Sequence, residues 1–67
     1  HFKNILILWS PDNQVVQGII SLEDKGKMKS ILKQFPGQLK EDTAILKIAS
    51  TNLSAVKNDI WQLLNEN

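Results

Sequence analysis

The run Ile5-Leu6-Ile7-Leu8-Trp9 restricts this chain more than any other feature. Large apolar residues in succession, β-branched and aromatic types among them, predict a strand over Phe2–Trp9. Side chains alternate across a strand, so Ile5, Ile7 and Trp9 share one face while Leu6 and Leu8 share the other. A strand that is apolar on both faces is normally covered on both. The chain has only 67 residues, and a domain of that size buries about 60% of the surface its unfolded form exposes. Little of the chain is left over to cover the second face.

The remaining elements follow from turn and cap chemistry. Ser10-Pro11-Asp12-Asn13 is a turn, with Pro11 presetting φ and Asp12 and Asn13 tolerating left-handed backbone. A second strand over Gln14–Ser21 then closes a hairpin. Ser10 and Pro11 also fit a helix start, with Val15, Val16, Ile19 and Ile20 at helical spacing. Four β-branched residues and Gly18 favour the hairpin. Ser21 reads as the N-cap of a helix reaching about Phe35, where Pro36 and Gly37 stop it. Its apolar stripe is Met28, Ile31, Leu32 and Phe35. Gln38–Asp42 is a polar connection. Thr43–Ala49 is a third strand, with Ala44, Leu46 and Ile48 on one face and Ile45 opposite. Ser50 or Thr51 caps a last helix with the stripe Leu53, Val56, Ile60, Leu63 and Leu64. The expectation is a single α+β domain over 1–67, ordered β-β-α-β-α, with an N-terminal hairpin, a third strand and two helices packed on one face.

Two helices cover one face of such a sheet, and the leftover face predicts burial against another copy or another domain. Leu6, Leu8, Trp9 and Ile45 are the candidate interface residues. Trp61 borders the last helix's stripe and reads as core or interface, which leaves Trp9 as the better exposed aromatic.

Reactive chemistry is sparse. Cysteine is absent, which excludes disulfides and thiolate metal sites. The only histidine is His1, at the chain end, so neither a metal site nor a nucleophile–base pair is expected. Glu23, Asp24, Glu41, Asp42, Asp59 and Glu66 sit in polar, loop or helix-start contexts where solvation or capping is the ordinary role. Gly18, Gly26 and Gly37 are isolated and form no phosphate loop. The reading is a non-enzyme without a cofactor. The eight basic residues are all lysine, for a net charge of +1. Lys25, Lys29 and Lys33 recur every fourth position beside Lys27 and could track phosphates. They also form the solvated face opposite Met28, Leu32 and Phe35, and the lack of Arg argues against nucleic acid. No stretch is long and apolar enough for a membrane span and no signal peptide is visible, which fits the cytoplasm. A first residue other than Met fits a domain excised from a longer protein.

The stretch Val15-Val16-Gln17-Gly18-Ile19-Ile20-Ser21-Leu22-Glu23-Asp24 resembles the end of a CBS domain (the cystathionine-β-synthase motif). That end often reads as a hairpin into G-I-I-S/T-x-x-D and then a helix. Phe2–Leu8 is similar to the strand before it. Ile45–Ile48, with Ser50-Thr51-Asn52-Leu53 and the closing helix, is similar to the first strand and helix of such a motif. The order departs from the family, because the motif's back half comes first here. Leu6 also stands where a proline is common. The resemblance implies paired modules that bind an adenosine nucleotide in a cleft and regulate an attached activity. It places Asp24 on ribose hydroxyls and Ser21 or Thr51 on phosphate, with Lys29 or Lys33 screening charge. Ser21 and Asp24 read equally as an N-cap and the acid three residues on. The expected function is therefore an interaction or regulatory module that self-associates or docks through an apolar sheet face and senses an adenosine nucleotide. The alternative is a small nucleic-acid binder using the lysine stripe.

Overall fold

The computed structural model describes residues 3–66. Phe2, read as the start of the first strand, and His1 lie outside them. Strands β1 (Asn4–Ser10) and β2 (Val15–Leu22) precede helix α1 (Lys25–Gln34). Strands β3 (Gly37–Lys40) and β4 (Thr43–Lys47) follow, then a 3-10 turn (Ser50–Asn52) running into helix α2 (Leu53–Asn65). They form one four-stranded sheet in the order β2-β1-β4-β3. β1 pairs antiparallel with β2 and parallel with β4, and β3 pairs antiparallel with β4.

The α+β class and the two helices on one face agree with the sequence reading. The polar connection over Gln38–Asp42 does not, because Gly37–Lys40 is a fourth strand. Its four residues alternate no hydrophobic pattern, and pairing with β4 through a tight turn at Glu41-Asp42 makes it a strand. Glu41 takes the positive φ of 57° that this turn requires. The start of α1 differs too. β2 continues through Leu22, so Ser21 is a strand residue, and Asp24 is the N-cap, accepting from the Gly26 amide at 2.8 Å. β-branched Ile19 and Ile20 carry the strand past the hydroxyl that resembled a cap.

Cross-strand register sorts the sheet into rows. On the helix side one row is Ile20, Leu6, Ala44 and Leu39, and the next is Gly18, Leu8, Leu46 and Gly37. Leu6, Leu8, Ala44 and Leu46 lie under Met28 and Ile31 of α1 and Ile60 of α2, all of them fully buried or nearly so. Leu6 and Leu8, expected on the interface, are thus the core. The helices chose the Leu6/Leu8 face of β1, and the branched face was left open.

The buried row of β1 ends in a polar group at each side. Asn4 donates from Nδ2 to the Leu22 carbonyl at 3.2 Å, closing the hairpin's open end. Ser10 Oγ lies 2.8 Å from Asp12 Oδ1 and 3.1 Å from the Ile48 carbonyl. Among the described residues, no buried side-chain nitrogen or oxygen lacks a partner, as buried polar groups require.

Candidate functional site

The side of the sheet away from the helices is a continuous apolar surface, and the register places it residue by residue. Its central row is Ile19, Ile7 and Ile45, ending at Gln38 on β3. To one side lies the row Ser21, Ile5, Thr43 and Lys40, and to the other Val16, Trp9 and Lys47. Cross-strand neighbours share a face, so six large apolar side chains from three strands meet here. Ile5, Ile7, Trp9 and Ile45 are half-buried by their neighbours, whereas Val16 and Ile19 stand 54% and 65% exposed. Among the paired strand residues the charges on this side are Lys40 and Lys47, at opposite ends of the β3–β4 pair, and there is no carboxylate. Trp9 and Ile45, named from sequence, belong to this surface. Ile5, Ile7, Val16 and Ile19 complete it. The alternation in β1 already separated Ile5 and Ile7 from Leu6 and Leu8, but pairing was needed to bring Val16, Ile19 and Ile45 beside them.

Trp61 is 56% exposed on α2, which excludes the core half of its core-or-interface reading and makes it more exposed than half-buried Trp9, expected to be the better exposed aromatic. Ile60 and Leu64 turn the helix's apolar stripe away from it.

The residues tied to a nucleotide do not gather into one site on a single chain. Ser21 sits opposite Ile5, at the start of β1. Thr51 follows Ser50, whose backbone and hydroxyl reach Asp12 beyond the other end of β1. Five residues of strand at about 3.3 Å each put these ends roughly 17 Å apart. Ser21 and Asp24 do line one shallow depression of about 260 Å³ with Glu23, Lys27 and Leu64. Its cation is already engaged: Lys27 Nζ donates to the carbonyls of Leu64 at 2.6 Å and Glu66 at 3.1 Å. That ammonium caps the C-terminus of α2, where a cation is favoured by the helix dipole.

The lysine stripe is divided in a similar way. Lys25 pairs with Asp42 at 3.2 Å, while Lys29 and Lys33 are exposed. Lys33 borders a wider groove between the helices, with Lys27, Ser30 and Leu63.

The most perturbed charge lies elsewhere. Asp12, in the β1–β2 turn, accepts from the Ser50 amide at 3.2 Å and from the Ser50 hydroxyl. The Ser50 and Ser10 hydroxyls, then the Ser50 amide, push its pKa down to about 2. The first turn of the last helix is therefore capped by a carboxylate 38 residues away, with Ser50 as donor to it. Ser50 or Thr51 was expected to cap that turn. Asp12 fixes the hairpin tip to the base of α2.

Among the described residues, no cluster of His, Asp or Glu could hold a metal ion, and no helix is long and apolar enough to cross a membrane. No family model matches the chain, and comparisons with curated proteins and with solved structures find no match.

Proposed function

We propose that this chain is a non-catalytic interaction module that docks on an apolar partner surface through the open face of its sheet. The observation that supports this most directly is the row Ile19-Ile7-Ile45 with Ile5, Trp9 and Val16 around it. Contiguous exposed apolar surface of this kind, rimmed by polar residues, marks interaction sites in monomeric folds. The helices cannot reach it, because both spend their stripes on the opposite side. The depression beside Ser21 and Asp24 offers no comparable case, because its Lys27 is already engaged by the carbonyls of Leu64 and Glu66.

Lys40 and Lys47, at the two ends of the β3–β4 side of the face and with no acid among its paired strand residues, favour a partner whose rim is acidic along that side. The paired residues of β1 and β2, free of charge on this side, supply the apolar contact together with Ile45 of β4.

The test is the double substitution Ile7→Lys/Ile45→Lys. Both side chains point away from the core, so the melting temperature should change little. The folded wild-type protein should bind an apolar fluorescent dye such as anilinonaphthalene sulfonate, and the variant should lose most of that binding. A wild-type protein that binds no dye and forms no assembly would refute the reading. Undiminished dye binding in the variant would do the same.

A further inference from the structure

We infer that β2 is a dimerisation edge, onto which a second copy of this chain adds its own β2 antiparallel about a two-fold axis near Ile20. The inference rests on the open face being an interaction surface, and it names one partner and the geometry.

The backbone hydrogen bonds show which groups of β2 are free. The Ile5 amide donates to the Asp42 carbonyl at 2.8 Å, and the Ile48 amide donates to the Trp9 carbonyl at 2.8 Å. The odd residues of β1 therefore face β4, and its even residues face β2. Leu6 is opposite Ile20 and Leu8 opposite Gly18, so Ile20 and Gly18 point their amides and carbonyls inward. Those of Ile19 and Ser21 point out, to the free edge. The register shift at Leu8/Trp9 inserts Gln17 as a bulge, which bends the strand's first residues and leaves Gly18–Leu22 as the regular run.

An edge like this is a template for another strand unless it is guarded, and natural guards are charge, proline, shortness or cover. β2 is eight residues long, and from Gln14 to Leu22 it has no charged residue and no proline. Of the five most exposed large hydrophobics among the described residues, Val15, Val16 and Ile19 lie on it. The bulge is its one guard, and it stops short of Ile19.

The same facts select a second copy as the occupant. Antiparallel pairing of β2 with itself opposes no like charges, which would be destabilising between a charged strand and its own image. With Ile20 near the axis, Ile19 of each copy exchanges both backbone hydrogen bonds with Ser21 of the other. The net charge of +1 adds little long-range repulsion. The opposite edge, β3, is guarded: it has four residues, follows Pro36 and ends at Lys40. One open and one guarded edge make the contact isologous and closed at two copies, where two open edges would give a filament. The axis stands perpendicular to the sheet, so both open faces fall on one side. Ile19 of each copy then lies at the centre of an eight-stranded surface, where its high exposure in one chain has a use.

The contact is small beside the roughly 1,200–2,000 Å² of a standard interface, so the dimer should form in the micromolar range. Sedimentation between 5 and 500 µM, as about two decades around that range, should show mass rising toward the dimer. Amide exchange over the same range should show Ile19 and Ser21 gaining protection, because these amides face solvent in one chain and the neighbouring strand in two. Ser21→Pro removes one outward donor, leaves the β1 pairing whole, and should hold the protein monomeric with its melting temperature nearly kept. Ile45→Lys lies on the face away from the edge and should dimerise like wild type. A wild-type monomer across the whole range overturns the inference, and dye binding then still decides whether the open face docks something else. A dimer broken by Ile45→Lys but not by Ser21→Pro also overturns it and shows that copies stack face to face. If Ser21→Pro fails to fold, unchanged exchange at Ile19 and Ser21 in the concentrated wild type overturns edge pairing in its place.

Discussion

The two edges of this sheet are built from similar positions and finished differently. Each edge strand puts a glycine into the same inner row, Gly18 on β2 beside Leu8 and Gly37 on β3 beside Leu46. A methyl group added at Gly18 would meet Leu8 Cδ1 at 3.5 Å and Lys57 Cε at 3.9 Å, which is ordinary contact. At Gly37 it would meet Leu46 Cδ2 at 2.5 Å, the Ile45 carbonyl oxygen at 2.8 Å and Leu32 Cδ2 at 2.9 Å. The β3 edge is pressed onto its neighbour and under α1. The β2 edge has room above it at Gly18. Shortness, a proline, a lysine and tight seating protect one side of the sheet, while the other keeps length, neutrality and exposed branched side chains. That difference makes β2 the side where association is expected.

The largest effect that would break the comparison is at the glycines. Gly37→Ala must displace backbone as well as side chains, and overpacking of this kind costs about 1–3 kcal/mol. Gly18→Ala fits its space and reduces the freedom of the unfolded chain, so it should be neutral or stabilise by about 0.4–1 kcal/mol. Chemical denaturation of the two variants measures both. Equal losses at both positions would mean that the two edges are seated alike, and the asymmetry between them would be lost.

What could be read from residues alone follows the same division. β1, β2, β4 and both helices have hydrophobic periods long enough to announce themselves, and the split of β1 into a leucine face and an isoleucine–tryptophan face is visible without any knowledge of pairing. Which face the helices would take was not visible, because Leu and Ile differ little in transfer free energy and the choice depends on how α1 and α2 fit. Gly37–Lys40 was illegible for another reason. Its four residues carry no alternation, and its strand state comes from pairing with Thr43–Leu46. The cap of the last helix was hidden because Asp12 and Ser50 are distant in sequence. Ser21 misled because a serine followed by acids reads as a cap, whereas the β-branched pair before it continues the strand. The open face was half legible, since sequence supplied Trp9 and Ile45 but only register sets Ile19 beside Ile7.

A smaller effect is expected where the β2 hairpin is tied down. Asp12 holds its carboxylate against the Ser50 and Ser10 hydroxyls, with its pKa pushed down to about 2. In the unfolded chain it returns to roughly 3.9. The folded state therefore favours the charged form, and the contribution is complete above the unfolded value and lost as pH falls through about 2. Asp12→Ala should melt below wild type at pH 7, and the gap should close between about pH 4 and pH 2. A gap that stays constant over that interval would show that the carboxylate's charge is irrelevant to the tie. The tie also bears on the edge comparison, since it anchors the tip of the β1–β2 hairpin and leaves the outer side of Gly18–Leu22 untouched. Loosening it should affect stability more than self-association.

The smallest effect concerns the one ion pair found among the described residues. Lys25 meets Asp42 at 3.2 Å with side chains 44% and 42% exposed, which links the start of α1 to the β3–β4 turn. Its position beside β3 raises the question of whether it is a further guard on that edge. An exposed pair of this kind contributes only about 0–1 kcal/mol, screened further by salt. Asp42 keeps its structural role through its carbonyl, which accepts from the Ile5 amide, and that survives a change of side chain. Asp42→Asn should therefore lower stability by less than about 0.5 kcal/mol at low salt and by nothing measurable in about 0.5 M salt. Amide exchange in β3 should stay as in wild type, because the seating of Gly37 against Leu46 and Leu32 is untouched. Faster exchange through Gln38–Lys40 in Asp42→Asn would assign the guarding of that edge to charge and not to packing.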